Sequence, residues 1–217
     1  IQAFFAGSSG VQAGGWFRAP LTSLDDLKGL KMRIAGLGGE VLRRLGVTVT
    51  LLPPGEIFGA MRSGAIDAAE WVGPWNDIAF GLPEVAKHYY LPAFHEPGPA
   101  LECLVNKEAF DALPDDLQAI VRAAAGAAAI DSLGEFAFFN AQAFASLAEG
   151  GVNVHKWPDD ILAALRETSA SVIAELARAN ELTGRIFESY DDYRRKAITY
   201  ASASELQMLE MRQILPE

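Results

Sequence analysis

The chain has 217 residues, 50% of them hydrophobic and 21% charged, a composition that supplies a real apolar core and excludes a disordered chain. Eighteen basic against 28 acidic side chains give a formal charge of -10 with both signs scattered, which excludes nucleic acid as a partner. An anion site must here be built locally against the mean field, so an arginine inside an apolar stretch is worth tracing.

No apolar run reaches the length of a membrane span, and no basic-then-apolar leader opens the chain. Ile1 to Phe5 reads as a strand running into Gly7-Ser8-Ser9-Gly10, so a segment preceding Ile1 is expected. Asp25 to Leu30 is a short helical turn closed by glycine, and Lys31 to Ala35 alternates as a strand. The loop Gly36-Leu37-Gly38-Gly39 then opens a helix over Glu40 to Leu45. Val47 to Leu52 is a β-rich run, Pro53-Pro54 precedes a helix over Glu56 to Ser63, and Ala65 to Val72 reads as another strand. This alternation predicts an α/β sheet with crossover connections, whose crevice lies at the carboxyl ends of the strands.

Two more strands are expected at Lys87 to Ala93 and Ala100 to Asn106, separated by the lobe-crossing cluster His95-Glu96-Pro97-Gly98-Pro99. Cys103, within the second, reads as a small buried hydrophobe and, as the single cysteine, excludes an intrachain disulfide. From Pro114 a helix with acids in its first turn continues to Gly150, roughly 50 Å at 1.5 Å per residue, enough to back onto two lobes. Gly151 to Trp157 is a returning strand, a helix follows to about Asn180, and a terminal amphipathic helix covers Thr183 to Ile214. Its stripe of Leu182, Ile186, Tyr190, Tyr193, Ile198 and Met208 fits either a cover for its own domain or a clasp on a second subunit.

His88, His95 and His155 share no metal-ligand spacing, which argues against zinc. No serine sits in a nucleophile elbow, and the glycine loop after Arg33 matches neither the dinucleotide fingerprint nor the phosphate loop. Arg33 interrupts an apolar strand just before a helix start: it is either a planar fork for a carboxylate or a surface arginine on an edge strand. Glu70 is a second charge in an apolar strand end, and Glu96 an acid at the lobe crossing. With the Gln12 amide they form an oxygen donor set that suits sodium or calcium.

The segments Gly14 to Arg18 (GGWFR), Asp26 to Arg33 (DLKGLKMR), Gly36 to Glu40 (GLGGE), Gly64 to Asp77 (GAIDAAEWVGPWND) and His95-Glu96-Pro97-Gly98, in this order, closely resemble the tripartite ATP-independent periplasmic (TRAP) transporter solute-binding proteins. The resemblance spans essentially the whole chain and is strongest to the subgroup for 2-oxo and hydroxy acids. It implies an α/β, two-lobed periplasmic binding protein fold with a long lobe-spanning helix and a C-terminal helical extension. Residues 1–11 would then end the first lobe, 12–98 form the second, 99–138 return to the first, 139–180 return to the second, and 181–217 make the terminal helix.

The resemblance further implies that Arg33 clamps the ligand carboxylate, and that a sodium or calcium ion bound with the ligand is held by Gln12, Glu70, the backbone carbonyl of Trp71, and Glu96. The function it implies is periplasmic capture of a pyruvate- or lactate-type acid for membrane permease subunits, without catalysis, with a homodimer through the terminal helix. Two rivals stand beside it: a cation-dependent lyase using Glu70 or Glu96 as general base, and a ligand-sensing module.

Overall fold

The computed structural model describes residues 1–214. The chain divides into two compact units, residues 1–168 and 169–217.

The first unit holds two sheets. One is a two-stranded antiparallel pair of β1 (Gln2–Gly7) with β7 (Leu101–Val105). The other has six strands in the order β4 (Thr48–Thr50), β3 (Lys31–Arg33), β5 (Ala68–Ala69), β2 (Gly15–Phe17), β6 (His88–Tyr90) and β8 (Asn153–His155). β4, β3 and β5 run parallel, as do β6 and β8, while β2 is antiparallel to both β5 and β6. β2 is therefore the one reversed strand, and the carboxyl ends of β3, β5 and β6 lie along one edge, which the chain reaches again just before β2.

The strands are shorter than expected: Ala65–Val72 contributes only Ala68–Ala69 to the ladder. β2 was not expected at all. It fits because Gly14 and Gly15 admit neighbours that a side chain would exclude: a Cβ at Gly14 would stand 2.3 Å from Trp157 Cζ2, and one at Gly15 3.0 Å from the Ala69 carbonyl, at a φ of +129°. Trp16 and Phe17 are fully buried, with Trp16 stacked on Tyr89 and Phe17 edge-on to Tyr90.

Helices α1 (Gly36–Arg44), α2 (Pro54–Ser63), α3 (Pro74–Ala79) and α4 (Leu82–Val85) connect the large sheet. α1 begins at Gly36, so the glycines expected as a loop form its first turn. Ile57 and Met61 of α2 close the core beneath Trp16 and Tyr89. After α5 (Lys107–Asp111), the helix α6 (Asp115–Glu149) runs without interruption for 35 residues, about 52 Å. It packs against β1, α3 and β8, and so touches the elements of both sheets. Ala125 joins Phe4 and Phe110 in one small core and Leu147 joins the core under the large sheet.

Cys103 is exposed, not buried. Among the described residues β7 pairs with β1 alone, and residues 101–104 are exposed on that two-stranded sheet.

α7 (Asp159–Ala177) carries the boundary between the units. The second unit continues with α8 (Glu181–Ala203), opened by a reciprocal Asn180–Thr183 cap, and α9 (Glu205–Ile214). The single terminal helix expected from the sequence is two. It breaks at Ser204, whose hydroxyl bonds the Tyr200 carbonyl and competes with the helical ladder. Leu182, Ile186, Tyr190, Tyr193, Ile198 and Met208 are all exposed.

Candidate functional site

The edge where β3, β5 and β6 end carries the polar groups the sequence singled out. Arg33 is the last residue of β3, Glu70 follows β5 directly, and Glu96 lies in the loop after β6. Backbone bonds fasten these loops together: the Glu70 amide donates to the Arg33 carbonyl (3.0 Å), Ala13 to Val72 (2.9 Å), Ala93 to Gln12 (2.8 Å) and Gln12 to Glu96 (3.2 Å). The approach to β2 thus continues the sheet irregularly and threads Gln12 between the loops bearing the two acids.

Arg33 is buried, which removes the reading of a surface arginine on an edge strand. Its Nη1 donates to both the Glu70 backbone carbonyl and Glu70 Oε2, the latter at 3.0 Å, and its guanidinium carbon stands 5.3 Å from the Trp71 ring centroid. Its Nε is buried without a partner among the described residues. Glu70 is 4% exposed; burial pushes its acid up to about 8, Arg33 pulls it back, and the charges of Glu96 and Asp77 push it further up. Burial also raises the Glu96 acid against the pull of Arg33. One guanidinium therefore faces two acids whose ionised forms are disfavoured by burial.

Gln12 spends its amide nitrogen on Ser9 Oγ at 3.1 Å, and its Oε1 is buried with no partner. Trp71 Nε1 is likewise buried and unpartnered. All five sequence-derived site residues lie along this edge of the sheet, Arg33 at the end of β3 and Gln12, Glu70, Trp71 and Glu96 in the loops beside it.

Two residues of the site were missed. His95 was set aside because the histidines share no ligand spacing in sequence, yet one ligand atom each of Glu70, His95 and Glu96 lie within 4.8 Å of one another. The histidine signal was spatial: Glu96 is its neighbour in the chain, but Glu70 comes from the loop after β5. His88 and His155 also meet, Nδ1 to Nε2 at 2.9 Å, across the parallel strands β6 and β8.

Asp77 in α3 is fully buried and accepts from Trp16 Nε1 (2.8 Å), the Tyr89 hydroxyl (2.9 Å) and the amides of Val72 and Gly73 (both 3.1 Å). Burial raises its acid, to about 6, and those four donors oppose the rise. Asp77 ties the loop carrying Glu70 and Trp71 to the core. The buried polar tips of Trp16 and Tyr89, which need an acceptor, were the sequence signal for it.

The donor set fits a hard cation: two carboxylates against a single guanidinium, and an amide oxygen buried without a partner among the described residues. Among the described residues no helix is long and apolar enough to cross a membrane.

Residues 3–180 match the model of the bacterial extracellular solute-binding proteins, family 7. A monocarboxylate 2-oxoacid-binding periplasmic protein of Nostoc sp. is 41% identical over 203 residues, 94% of this chain and 56% of its own length. Two TRAP periplasmic solute-binding proteins of known structure superpose closely. One, from Colwellia psychrerythraea with bound calcium and pyruvate, has TM-score 0.92 and 37% identity. The other, from Pseudoalteromonas atlantica with bound sodium and pyruvate, has TM-score 0.91 and 35% identity. Each match covers 96% of this chain and 64% of the other. The chain thus spans rather more than half the length of these relatives. A family match over most of the chain, on a two-sheet α/β fold backed by one long helix, places this chain among the family 7 bacterial extracellular solute-binding proteins, the solute-binding proteins of TRAP transporters.

Proposed function

We propose that the protein is the periplasmic solute-binding subunit of a TRAP transporter and captures a monocarboxylic 2-oxo or 2-hydroxy acid of the pyruvate or lactate type together with a sodium or calcium ion. The observation that carries this reading is the buried Arg33–Glu70 pair on an edge where Arg33 Nε and Gln12 Oε1 are both buried without a partner among the described residues. Buried polar atoms of this kind are costly unless something satisfies them.

Arg33 is the group for the ligand carboxylate, because Nη1 is committed to Glu70 while the planar fork has donors to spare. Gln12 Oε1, Glu70, the Trp71 carbonyl and Glu96 are the oxygens for the cation. When bound, such an ion supplies the positive charge that two acids and a ligand carboxylate lack, and it favours acids with an oxygen at C2. Asp77 holds the Glu70–Trp71 loop in place, and the Trp71 ring flanks Arg33 and limits water there. The relatives that bind pyruvate with calcium or with sodium support the same pairing.

In this reading residues 12–98 and 139–180 build the lobe of the large sheet, residues 1–11 and 99–138 belong to the other lobe, and 181–217 offer the exposed stripe of α8 and α9 to a second copy. Residues 215–217 lie outside the described part. Delivery is to the membrane permease subunits, and no chemistry is performed on the acid. A raised carboxylic acid is also what a lyase would use as a base. Pyruvate incubated with the complete protein and calcium should give an unchanged NMR spectrum.

The test is calorimetric titration of the complete protein with pyruvate, lactate and longer 2-oxo acids, in buffers with sodium, calcium or neither. Binding that requires a cation and an oxygen at C2 is expected. Equal affinity for pyruvate and propionate, or no dependence on either ion, refutes the reading.

A further inference from the structure

His95 is not used by the reading above, and its setting is hard to explain as packing. Its side chain is 7% exposed, and among the described residues neither Nδ1 nor Nε2 has a hydrogen-bond partner. A buried imidazole without partners forfeits the hydration of two polar atoms, a cost that a phenylalanine in the same place would avoid. The ring is also held: a Cβ on Gly38 would lie 2.9 Å from its Cγ and Cδ2, so the first turn of α1 rests directly on it, and the Phe94 ring lies 4.9 Å away.

Nε2 stands 3.9 Å from Glu70 Oε1, too far for a hydrogen bond. The spacing is that of two donors to a shared ion, since atoms about 2.0 to 2.2 Å from one metal stand roughly 3 to 4 Å apart. Glu96 completes a trio within 4.8 Å.

We infer that His95 supplies a ring nitrogen to the cation held by Glu70 and Glu96, so that the site accepts borderline divalent ions such as Mn2+ and Zn2+ in addition to sodium and calcium. The inference rests on the cation-and-acid reading of this site. An oxygen-only set favours hard ions, whereas one imidazole with two carboxylates is a donor set suited to first-row divalent metals. His88 and His155 lie on β6 and β8, outside this trio, and do not compete for the role.

The experiment uses the complete protein, stripped with chelator and loaded with Mn2+ in the presence of pyruvate, and reads electron spin echo envelope modulation. Modulation from a directly bound imidazole 14N is expected. It should change to the 15N pattern when the protein is grown on 15N-histidine, and vanish in His95→Phe, which keeps an aromatic ring against Gly38. The labelled parent needs no substitution and so keeps the test valid if His95→Phe does not fold. In His95→Phe the affinity for Mn2+ and Zn2+ should fall at least about tenfold. Mn2+ bound without nitrogen modulation, or Ca2+ bound with pyruvate while Mn2+ is refused, overturns the assignment of His95 and leaves the proposed function standing. If neither ion binds with pyruvate, the reading of the site fails and the inference falls with it.

Discussion

Replacing Arg33 separates its two duties. Toward the protein, its Nη1 holds the Glu70 carbonyl and carboxylate. Toward the ligand, the rest of the guanidinium provides the charge-assisted contact. Arg33→Ala removes both: loss of the ligand contact costs about 1.5 to 3 kcal/mol, roughly ten- to a hundredfold in affinity. Breaking a buried ion pair costs a further ~3 to 5 kcal/mol of folding stability where the stranded charge stays ionised. Glu70, with its acid near 8, takes a proton instead, which holds the stability loss below that range. Arg33→Lys keeps a positive charge but not the fork, so it can serve Glu70 or the ligand but not both. It should unfold within about 1 kcal/mol of the parent and bind pyruvate roughly tenfold more weakly. Urea denaturation gives the first quantity and calorimetry with pyruvate at saturating calcium the second. Parental pyruvate affinity in both variants refutes the clamp.

Three further outcomes follow from the same geometry. A proton on Glu70 competes with the cation, and its acid near 8 means that the proton is present at neutral pH, so calcium affinity should fall by up to about tenfold per pH unit below 8; calorimetry with pyruvate from pH 6 to 9 measures it, and a flat profile contradicts the role of Glu70. Asp77→Ala strips the acceptor from four donors in the core and should cost about 4 kcal/mol or more in urea denaturation, and a loss under about 1 kcal/mol contradicts its anchoring role. If α8 meets a second copy, Tyr193→Glu should give a monomer by light scattering where the parent is a dimer, with pyruvate affinity unchanged; equal masses for the two contradict that interface.

Much of this site was legible because polar residues placed at the ends of apolar strands are rare and the α/β crossover rule puts those ends on one edge. That pattern marked Arg33 and Glu70 but left Arg33 open between a carboxylate fork and a surface arginine, and it is its burial that decides against the surface. The proposed cation donors Gln12 and Glu96 sit in irregular loops, where their side chains suit a hard cation but only the ordered motifs of the family relate them to the strand ends. β2 escaped because a three-residue strand that begins on the second of two glycines shows no alternation to detect, although it fills the middle of the sheet. The start of α1 was misplaced because glycine signals a loop locally, whereas here it is required by the His95 ring and the Val49 side chain lying against the first turn. His95 and Asp77 were missed because a partner that defines each comes from a distant segment, Glu70 for His95 and Trp16 for Asp77, and for Asp77 the signal lay in those buried donors and not in spacing along the chain. Cys103 went the other way, since an apolar run predicts burial only where a second layer covers it.

The most direct test is a crystal structure of the complete protein grown with pyruvate and calcium, with the ion located by its anomalous scattering. The account predicts the ion between Gln12, Glu70, the Trp71 carbonyl and Glu96, and the pyruvate carboxylate against Arg33. Pyruvate bound away from Arg33, or a calcium position that contacts neither Glu70 nor Glu96, would contradict it.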